Sequence, residues 1–411
     1  MPRFIIARAL GLIVALSFFW CPAWAATRKA HHHRRATAKR KSKSIKSATA
    51  SHSHRTRIHR VSYVIPHHPE SHNSRLRARV LSPWTTPTFA DSTSGDSVNG
   101  EDLVVRRAAV QALGPYNGSV VVTDPQTGRI LTIVNQRLAL EDGFQPCSTI
   151  KIVTSLAGLS AGVLDEDTKI RIARHTSIGL TFAWARSVNS FFATIGNRLG
   201  FDNVIHYAKL YGLGEKAGWD IDGEQPGILP DEPPKDGGVG MMTSFGEGFT
   251  QTPLELSALV SAIANGGTLY YLQYPRSDQE IAQFVPRVKR HLDIAQYIPV
   301  IKPGMQGAVE FGTARRAKYD PEDPIMGKTG TCTDKRHPTH LGWFGSYNEV
   351  GNTKLVVVVL LTGGHVVNGP IASGIAGSVY RNLSAQNYFG TQKPALAIAS
   401  TDPAAAVTPQ P

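Results

Sequence analysis

The sequence predicts an α+β fold in which helices and a helical lobe flank an antiparallel five-stranded sheet. Two observations predict it. Runs with strand character occur within residues 119–135 and again within residues 325–362, and the stretch between them is mostly helical in its periodicity. Two strands alone make a marginal sheet, so we expect the distant runs to join in one sheet. With 411 residues and 41% hydrophobic content, the chain is long enough to bury a large core.

The elements are expected in a simple order. A first helix spans Glu101–Leu113 and is stopped by Gly114-Pro115, because proline cannot continue a helix. Strands at Ser119–Thr123 and Arg129–Asn135 form a hairpin around turn residues. The remaining predicted elements are a helix over 148–161 that ends at Gly162, strands at Ile325–Thr331, His340–Tyr347 and Leu355–Thr362, and a closing helix at Ile371–Leu383.

The first 25 residues are typical of a secretory signal. Two arginines precede an apolar run at Ala9–Trp20, and Ala23-Trp24-Ala25 supplies the small residues of a cleavage site. An uncleaved anchor is the alternative, since Ala9–Ala26 contains 18 uncharged residues. Either case places the rest of the chain outside the cytoplasm, in the periplasm or cell envelope. Nucleic acid is therefore not an expected partner, and disulfides are chemically permitted.

Residues 26–97 form a low-complexity basic segment that is predicted to be disordered. Residues 27–80 hold 15 Lys and Arg side chains against one acid, which accounts for the chain's net charge of +13. We expect this segment to adhere to anionic envelope polymers. Its nine histidines lack an anchoring scaffold, so no specific metal site is predicted. An Ala/Pro-rich tail at 391–411 is also predicted to be disordered, which leaves 98–390 as the folded domain.

Three short motifs carry the candidate chemistry; the first opens a predicted helix and the third lies on a predicted strand. They are Ser148-Thr149-Ile150-Lys151, Ser187-Val188-Asn189 and Lys328-Thr329-Gly330-Thr331. Singly they are weak, because an S-x-x-K motif is expected about once by chance in a chain of this length. Their order and shared compartment make the set specific.

The spacing of Ser148 and Lys151 in the first motif has a direct physical interpretation. Residues three apart on a helix share a face, so Lys151 is expected beside the Ser148 hydroxyl. A serine becomes nucleophilic when a base removes its proton, and lysine acts as that base only when neutral. Burial or a neighbouring cation lowers the lysine pKa, and Lys328 is a candidate neighbour.

The sequence resembles the penicillin-binding proteins, serine D,D-transpeptidases related to the serine β-lactamases. Beyond the three motifs, the similarity covers about residues 115–385. It includes the hairpin from Asp124 to Leu131, Phe144-Gln145-Pro146 before Ser148, the G-E-x-x-G-x-x-P loop from Gly223 to Pro230, the helix that starts at Thr252 and leads to Asn265-Gly266-Gly267, Gly312-Thr313-Ala314, and Gly342-Trp343-Phe344-Gly345. The likeness is to a class B catalytic domain without its N-terminal pedestal domain.

The resemblance implies a role for each motif residue. Ser148 would attack the penultimate D-alanine carbonyl of a peptidoglycan stem peptide, Lys151 would accept its proton, and Ser187 would relay that proton to the leaving amine. Asn189 would bind the substrate backbone. Thr329, Gly330 and Thr331 would form the substrate-binding strand, on which Lys328 and both threonine hydroxyls gather the terminal carboxylate. The N–H groups of Ser148 and Thr331 would form an oxyanion hole. β-Lactam antibiotics are expected as covalent inhibitors, and no metal or other cofactor is implied.

The cysteines depart from the usual pattern. Cys147 stands where the transpeptidases commonly have glycine, and Cys332 follows the K-T-G-T run. A group of carbapenem-hydrolysing class A β-lactamases has bridged cysteines at similar places. The resemblance therefore implies a Cys147–Cys332 disulfide; two separate buried thiols are the alternative.

Other functions of the same superfamily remain open. A class A β-lactamase needs a Glu with Asn four residues later, and none of Glu215, Glu224, Glu232 and Glu247 meets this. Class D enzymes lack the Asn of the second motif, which is present here as Asn189. A D,D-carboxypeptidase would share every motif, and a non-catalytic wall-binding or β-lactam-sensing protein would keep the fold. Trp343 and Phe344 are expected in the core, and His337 and His340 are expected to be loop residues without a metal.

Overall fold

The computed structural model describes residues 84–391, except residues 142 and 352. The predicted signal, most of the basic segment and nearly all of the C-terminal tail lie outside the described residues and remain predictions. The strands are β1 Gly118–Thr123, β2 Ile130–Val134, β3 Ile170–Ala173, β4 Thr176–Ile178, β5 Thr268–Tyr270, β6 Val288–His291, β7 Ile325–Asp334, β8 Thr339–Asn348 and β9 Val356–Gly363. The α-helices are α1 Leu103–Leu113, α2 Gln136–Leu140, α3 Lys151–Ser160, α4 Leu180–Arg186, α5 Asn189–Leu199, α6 Phe201–Leu210, α7 Gly238–Phe245, α8 Pro253–Ala264, α9 Asp278–Ala282, α10 Ile298–Glu310, α11 Gly369–Ala385 and α12 Tyr388–Thr391. Three 3₁₀ turns lie at Cys147–Ile150, Ala295–Tyr297 and Arg315–Ala317.

The predicted five-stranded sheet is confirmed. Its strand order is β2-β1-β9-β8-β7, and every neighbouring pair is antiparallel. The N-terminal hairpin therefore pairs with the last strand, through the register Val120↔Val359. β1, β2 and β9 are buried along their whole length, as expected for strands covered on both faces. β7 is left at the sheet edge, where backbone groups of its outer side are not paired within the sheet.

Helices cover both faces of the sheet. α1 and α11 pack together against one face, and α8 packs against β1, β8 and β9 on the other. All twelve residues of α8 are buried, and its start is held by a capping box between Thr252 and Glu255. Glu255 also accepts hydrogen bonds from the N–H groups of Gly214 and Gly227 at 2.8 and 2.9 Å. The G-E-x-x-G-x-x-P loop is thereby tied to the central helix.

A helical lobe made of α3, α5, α6 and α7 stands beside the sheet. α4 packs against α10, and α10 packs against the edge strand β7. Trp184 of α4 is fully buried and donates from Nε1 to the carbonyl of Gly327 on β7 at 3.2 Å. The end of α4 and the K-T-G strand are therefore held at a fixed separation.

The predicted boundary at residue 98 is wrong, because ordered structure already begins in the segment assigned to the basic tail. Phe89 forms a bridge with Tyr116, and the Asp96 carboxylate pairs with Arg106 at 2.7 Å. Asp96 also accepts from the N–H groups of Asn135 and Gln136. Polar residues 84–97 lack a hydrophobic pattern, yet they are held by long-range hydrogen bonds that local composition does not reveal.

Candidate active site

Ser148, at the predicted start of a helix over 148–161, lies in a 3₁₀ turn, and the regular helix begins three residues later. The turn spans Cys147–Ile150, and α3 begins at Lys151. In a 3₁₀ turn, side chains three residues apart are nearly eclipsed, which brings the Lys151 amine directly to the serine. Lys151 Nζ is 2.9 Å from Ser148 Oγ. The serine is partly exposed while the lysine is fully buried, so the hydroxyl is reachable and its partner is shielded from water.

Four oxygen atoms surround the Lys151 amine. Two of them can only accept: the Ser187 carbonyl at 3.0 Å and Asn189 Oδ1 at 2.5 Å. The other two are the hydroxyls of Ser148 and Ser187, each at 2.9 Å. A neutral amine has two N–H donors and one lone pair. If both donors serve the acceptor-only oxygens, the lone pair is left for a hydroxyl proton, which is the arrangement a general base needs.

Burial favours the neutral form of this amine. Burial of Lys151 holds its pKa well below the ordinary value, and the positive charge of Lys328 lowers that pKa further. The Phe192 ring lies next to the amine, with Lys151 Nζ 5.3 Å from the ring centroid. Burial also lowers the pKa of Lys328, to about 7. Because Lys151 bears both effects, it is the lysine that loses its proton first.

A tight turn between two helices carries Ser187 and Asn189. α4 ends at Arg186, Ser187 adopts the left-handed conformation with φ 54°, and α5 starts at Asn189. A non-glycine residue in this region is uncommon and costs about 1 kcal/mol or more, so the turn must be held by its surroundings. It points Ser187 Oγ and Asn189 Oδ1 at the same lysine.

The edge strand β7 contributes Lys328 to the hydrogen-bonded group around Lys151 and Ser187. Lys328 is fully buried and donates to Ser187 Oγ at 2.9 Å and to the Thr329 carbonyl at 3.0 Å. The predicted residues Ser148, Lys151, Ser187, Asn189 and Lys328 are thus brought into one continuous hydrogen-bonded group. The predicted neighbour relation between the two lysines is present, with Ser187 between them.

The other residues of the K-T-G-T run differ in what they contribute to the site: Gly330 allows close packing, and the two threonines supply hydroxyl groups. Gly330 has no room for a side chain, because a Cβ there would lie 2.9 Å from the Pro146 carbonyl oxygen and 3.3 Å from Cys147 Cβ. Thr329 Oγ1 is 2.6 Å from Thr313 Oγ1, and Thr331 Oγ1 accepts from the Gly369 N–H at 2.8 Å. A hydroxyl can donate and accept together, so each threonine cluster retains an O–H donor for a ligand anion.

Comparison with known proteins identifies the family of this arrangement. The family model described as "Penicillin binding protein transpeptidase domain" matches residues 118–385, which include all of the motif residues. The chain belongs to this family.

Curated relatives agree with this family assignment. Stage V sporulation protein D of Bacillus subtilis is 28% identical over 318 residues, covering 66% of this chain and 48% of that protein. Peptidoglycan D,D-transpeptidase MrdA of Escherichia coli K12 is 23% identical over 294 residues, covering 56% of this chain and 46% of that protein. The penicillin-binding protein chain described here therefore spans about half the length of these relatives.

Solved structures show the same fold. PBP2 from Pseudomonas aeruginosa, crystallised in complex with WCK 5153, superposes with a TM-score of 0.58 at 21% identity, covering 70% of this chain and 77% of that one. The D,D-transpeptidase domain from Eggerthella lenta gives a TM-score of 0.54, also at 21% identity, over 70% of this chain and 82% of that one. Among the residues that the structure describes, no helix of this family member has the length and apolarity needed to cross a membrane.

The predicted Cys147–Cys332 disulfide is confirmed, with the two Cα atoms 5.5 Å apart. It joins the residue before Ser148 to the residue after the K-T-G-T run. Cys147 has φ 52°, in the left-handed region that favours glycine. A side chain with a Cβ is disfavoured at this φ, so the disulfide is anchored at a backbone position that glycine would adopt more easily.

Several contributors to the site were not predicted from the sequence. Thr313, whose hydroxyl contacts that of Thr329, lies in the Gly312-Thr313-Ala314 run, which by itself does not indicate this contact. Phe192 and the Ser244 carbonyl, which lies 3.5 Å from Ser148 Oγ, carried no sequence signal, since a buried Phe and a backbone oxygen are ubiquitous. Trp343 and Phe344 are fully buried, which confirms their assignment to the core. His340 lies on β8, as the predicted strand His340–Tyr347 requires, so its assignment to a loop is wrong.

Proposed function

We propose that this chain is a serine D,D-transpeptidase that acts on peptidoglycan stem peptides through an acyl-enzyme on Ser148. The observation that carries the proposal is the placement of a buried Lys151 amine within 2.9 Å of a partly exposed serine hydroxyl. Family membership sets the reaction class, and the geometry supports the assignment of individual roles. The motif residues were predicted together, and their convergence is what supports them as one site.

The first half-reaction forms an ester. Ser148 Oγ attacks the carbonyl carbon of the penultimate D-alanine as its proton passes to neutral Lys151. The negative charge that develops on the carbonyl oxygen is proposed to be stabilised by the N–H groups of Ser148 and Thr331. The C–N bond then breaks, and Ser187 passes a proton from the protonated Lys151 to the departing D-alanine amine. Lys328 supports that relay by donating to Ser187 Oγ.

The second half-reaction transfers the acyl group. An acceptor amine attacks the ester carbonyl, loses its proton through the same Lys151–Ser187 pair, and releases the Ser148 hydroxyl. Water in place of the amine would give carboxypeptidase activity. The exposed edge of β7 is suited to an extended donor peptide, which can pair with a strand edge through its backbone. The terminal carboxylate is proposed to lie against Lys328, Thr329 and Thr331.

β-Lactamase activity is the second candidate, and one observation weighs against it. In the described part of the chain, no Asp or Glu side chain hydrogen-bonds to Ser148 or Lys151. Glu224 accepts from the N–H groups of Ala217 and Gly218, and Glu247 is hydrogen-bonded to Gln145 and paired with Lys335. No carboxylate of the described residues therefore contacts the serine or its base directly, and we expect a long-lived penicilloyl ester.

Intact-mass analysis after exposure to penicillin tests the proposal. We expect one adduct, mapped to the peptide that contains Ser148, and no adduct on the Ser148→Ala variant. An unmodified protein, or an adduct on another residue, would contradict it. With a chromogenic cephalosporin, a stoichiometric burst supports a transpeptidase, whereas sustained turnover identifies a β-lactamase.

Product analysis separates the remaining activities. Incubation with a stem pentapeptide and an amine acceptor should yield D-alanine and a cross-linked product. D-alanine without cross-linked product would indicate a carboxypeptidase. An adduct with penicillin but no peptide turnover at all would favour the non-catalytic sensing alternative. Export to the cell envelope and contact of the basic segment with anionic polymers accompany the proposal as predictions about residues outside the described part.

A further inference from the structure

Residues 84–88, here called the strap, cross one end of the five-stranded sheet, next to the turn that joins β7 to β8. Thr85 donates its N–H to the Pro338 carbonyl, in the turn between β7 and β8, at 3.1 Å. Thr88 accepts at Oγ1 from the Gly364 N–H at 2.9 Å, and its carbonyl accepts from the Asn117 N–H at 2.9 Å. The strap therefore joins the β7–β8 turn to residues 364–368, the loop that connects β9 to α11.

Trp84 adds ring contacts with His365 and His340 to these hydrogen bonds. Its ring centroid lies 4.7 Å from that of His365 in the loop and 5.9 Å from that of His340 on β8, both in edge-on geometry. The two imidazoles are 5.2 Å apart, and His340 Nδ1 is 3.1 Å from Thr333 Oγ1 on β7. Burial and the neighbouring His365 both lower the pKa of His340, so the histidine that contacts Trp84 and β7 is favoured as an uncharged ring.

The far end of the same loop touches the substrate-binding strand. Gly369 donates its N–H to Thr331 Oγ1 at 2.8 Å, and a Cβ on Gly369 would lie 2.7 Å from the Gly330 carbonyl oxygen. The loop is also pressed against β8, where a Cβ on Gly342 would lie 2.6 Å from the Asn368 backbone. If the loop moves, Gly330 and Thr331 must move as well, because Gly369 is closely packed against both residues.

The geometry points to the strap as a positioning element for substrate binding, in which Trp84 holds His365 and the β9–α11 loop so that Gly369 keeps Thr331 in place. This inference rests on the proposed function. Trp84 touches none of the Ser148–Lys151–Ser187 group in the described contacts, so it acts on the placement of the carboxylate-binding threonine and leaves the proton-transfer residues unchanged. It is a positioning residue and not a catalytic one.

Penicillin acylation kinetics of Trp84→Ala, Trp84→Phe and Phe89→Ala test the inference in the full chain. Trp84→Ala should weaken the apparent affinity for penicillin about fivefold and slow the limiting acylation rate by a smaller factor, because Thr331 binds the carboxylate and also supplies an oxyanion-hole N–H. Trp84→Phe should recover most of the affinity, since an aromatic ring remains against His365. Phe89→Ala is the matched control: this residue lies on the same N-terminal segment, is 56% exposed and packs on Tyr116. It should bind and acylate as the wild type does.

Hydrogen exchange at the Gly369 amide supplies a second readout that a general loss of stability would not reproduce. Trp84→Ala should raise exchange at Gly369 while amides of α8 stay protected, and Phe89→Ala should change neither. Wild-type affinity and wild-type Gly369 protection in Trp84→Ala would overturn the inference, as would an equal loss in Phe89→Ala. If the wild type itself forms no penicillin adduct, the proposed function fails instead, and the exchange experiment still decides whether the strap holds the loop.

Discussion

Lys151 and Lys328 are both fully buried, and their Nζ atoms lie at the same distance, 2.9 Å, from one oxygen, Ser187 Oγ. Two adjacent buried ammonium groups would repel each other at high energetic cost in a poorly hydrated site. The pair therefore favours one charge, with Lys151 neutral and Lys328 positive. The assignment gives each lysine the protonation state that its proposed role requires.

The first prediction concerns the pH dependence of acylation. The rate should rise with pH as Lys151 loses its proton, because only the neutral amine accepts the Ser148 proton. It should fall again as pH rises through the Lys328 pKa of about 7, because the cation is then lost. Stopped-flow acylation by penicillin measured from pH 5 to 9 should give a bell-shaped profile.

Lys328→Arg is the control for this profile, since arginine keeps its charge throughout the range. The variant should retain the rising limb and lose the falling limb. A falling limb that persists in Lys328→Arg would assign the alkaline titration to another group.

The second prediction concerns Lys151 itself. Lys151→Met preserves much of the buried volume and removes the base, so acylation should fall by about 10²–10⁴-fold while the protein stays folded. Acylation rates from mass spectrometry and unfolding curves from circular dichroism measure both quantities. Acylation within tenfold of wild type in the folded variant would show that Lys151 is not the base.

The third prediction concerns the disulfide. Removing the Cys147–Cys332 bridge, which closes a loop with a sequence separation of 185, should lower the free energy of unfolding by about 2–5 kcal/mol. Two double variants separate the loss of the covalent link from the cost of a Cβ at position 147. Cys147→Gly with Cys332→Ser should be about 1 kcal/mol more stable than Cys147→Ala with Cys332→Ser, because glycine adopts φ 52° without a Cβ penalty.

Denaturant unfolding under non-reducing conditions measures these differences. Equal stability of the two double variants would mean that position 147 relaxes out of the left-handed region once the bridge is gone.

The fourth prediction concerns Gly330. Gly330→Ala would place a methyl group 2.9 Å from the Pro146 carbonyl oxygen, so β7 must move away from the Ser148 turn. A shift of this size at the reacting groups should slow acylation by about 10²-fold. Gly162→Ala is the comparison, because a Cβ there meets no atom within 4 Å although φ is 68°. It should cost stability and leave the acylation rate intact; a similar rate loss in both variants would contradict a local steric effect.

Much of the fold was predictable because its signals are local. The apolar runs of β7, β8 and β9 and the Gly114-Pro115 stop gave strand and helix positions within a few residues, since side-chain periodicity follows backbone geometry. The Ser148–Lys151 pair was predictable for the same reason, although the turn is 3₁₀ and not α-helical. The bridged cysteines followed from the family resemblance.

Short-range sequence patterns encode the α+β class, the order of the elements and the identity of the motif residues. Three other relations are visible only in the folded chain: two buried lysines share Ser187, Thr313 contacts Thr329, and residues 84–97 belong to the folded part. Each of these relations joins positions that are distant along the chain and depends on burial. Packing of the whole core sets such contacts, and no single stretch of sequence encodes them.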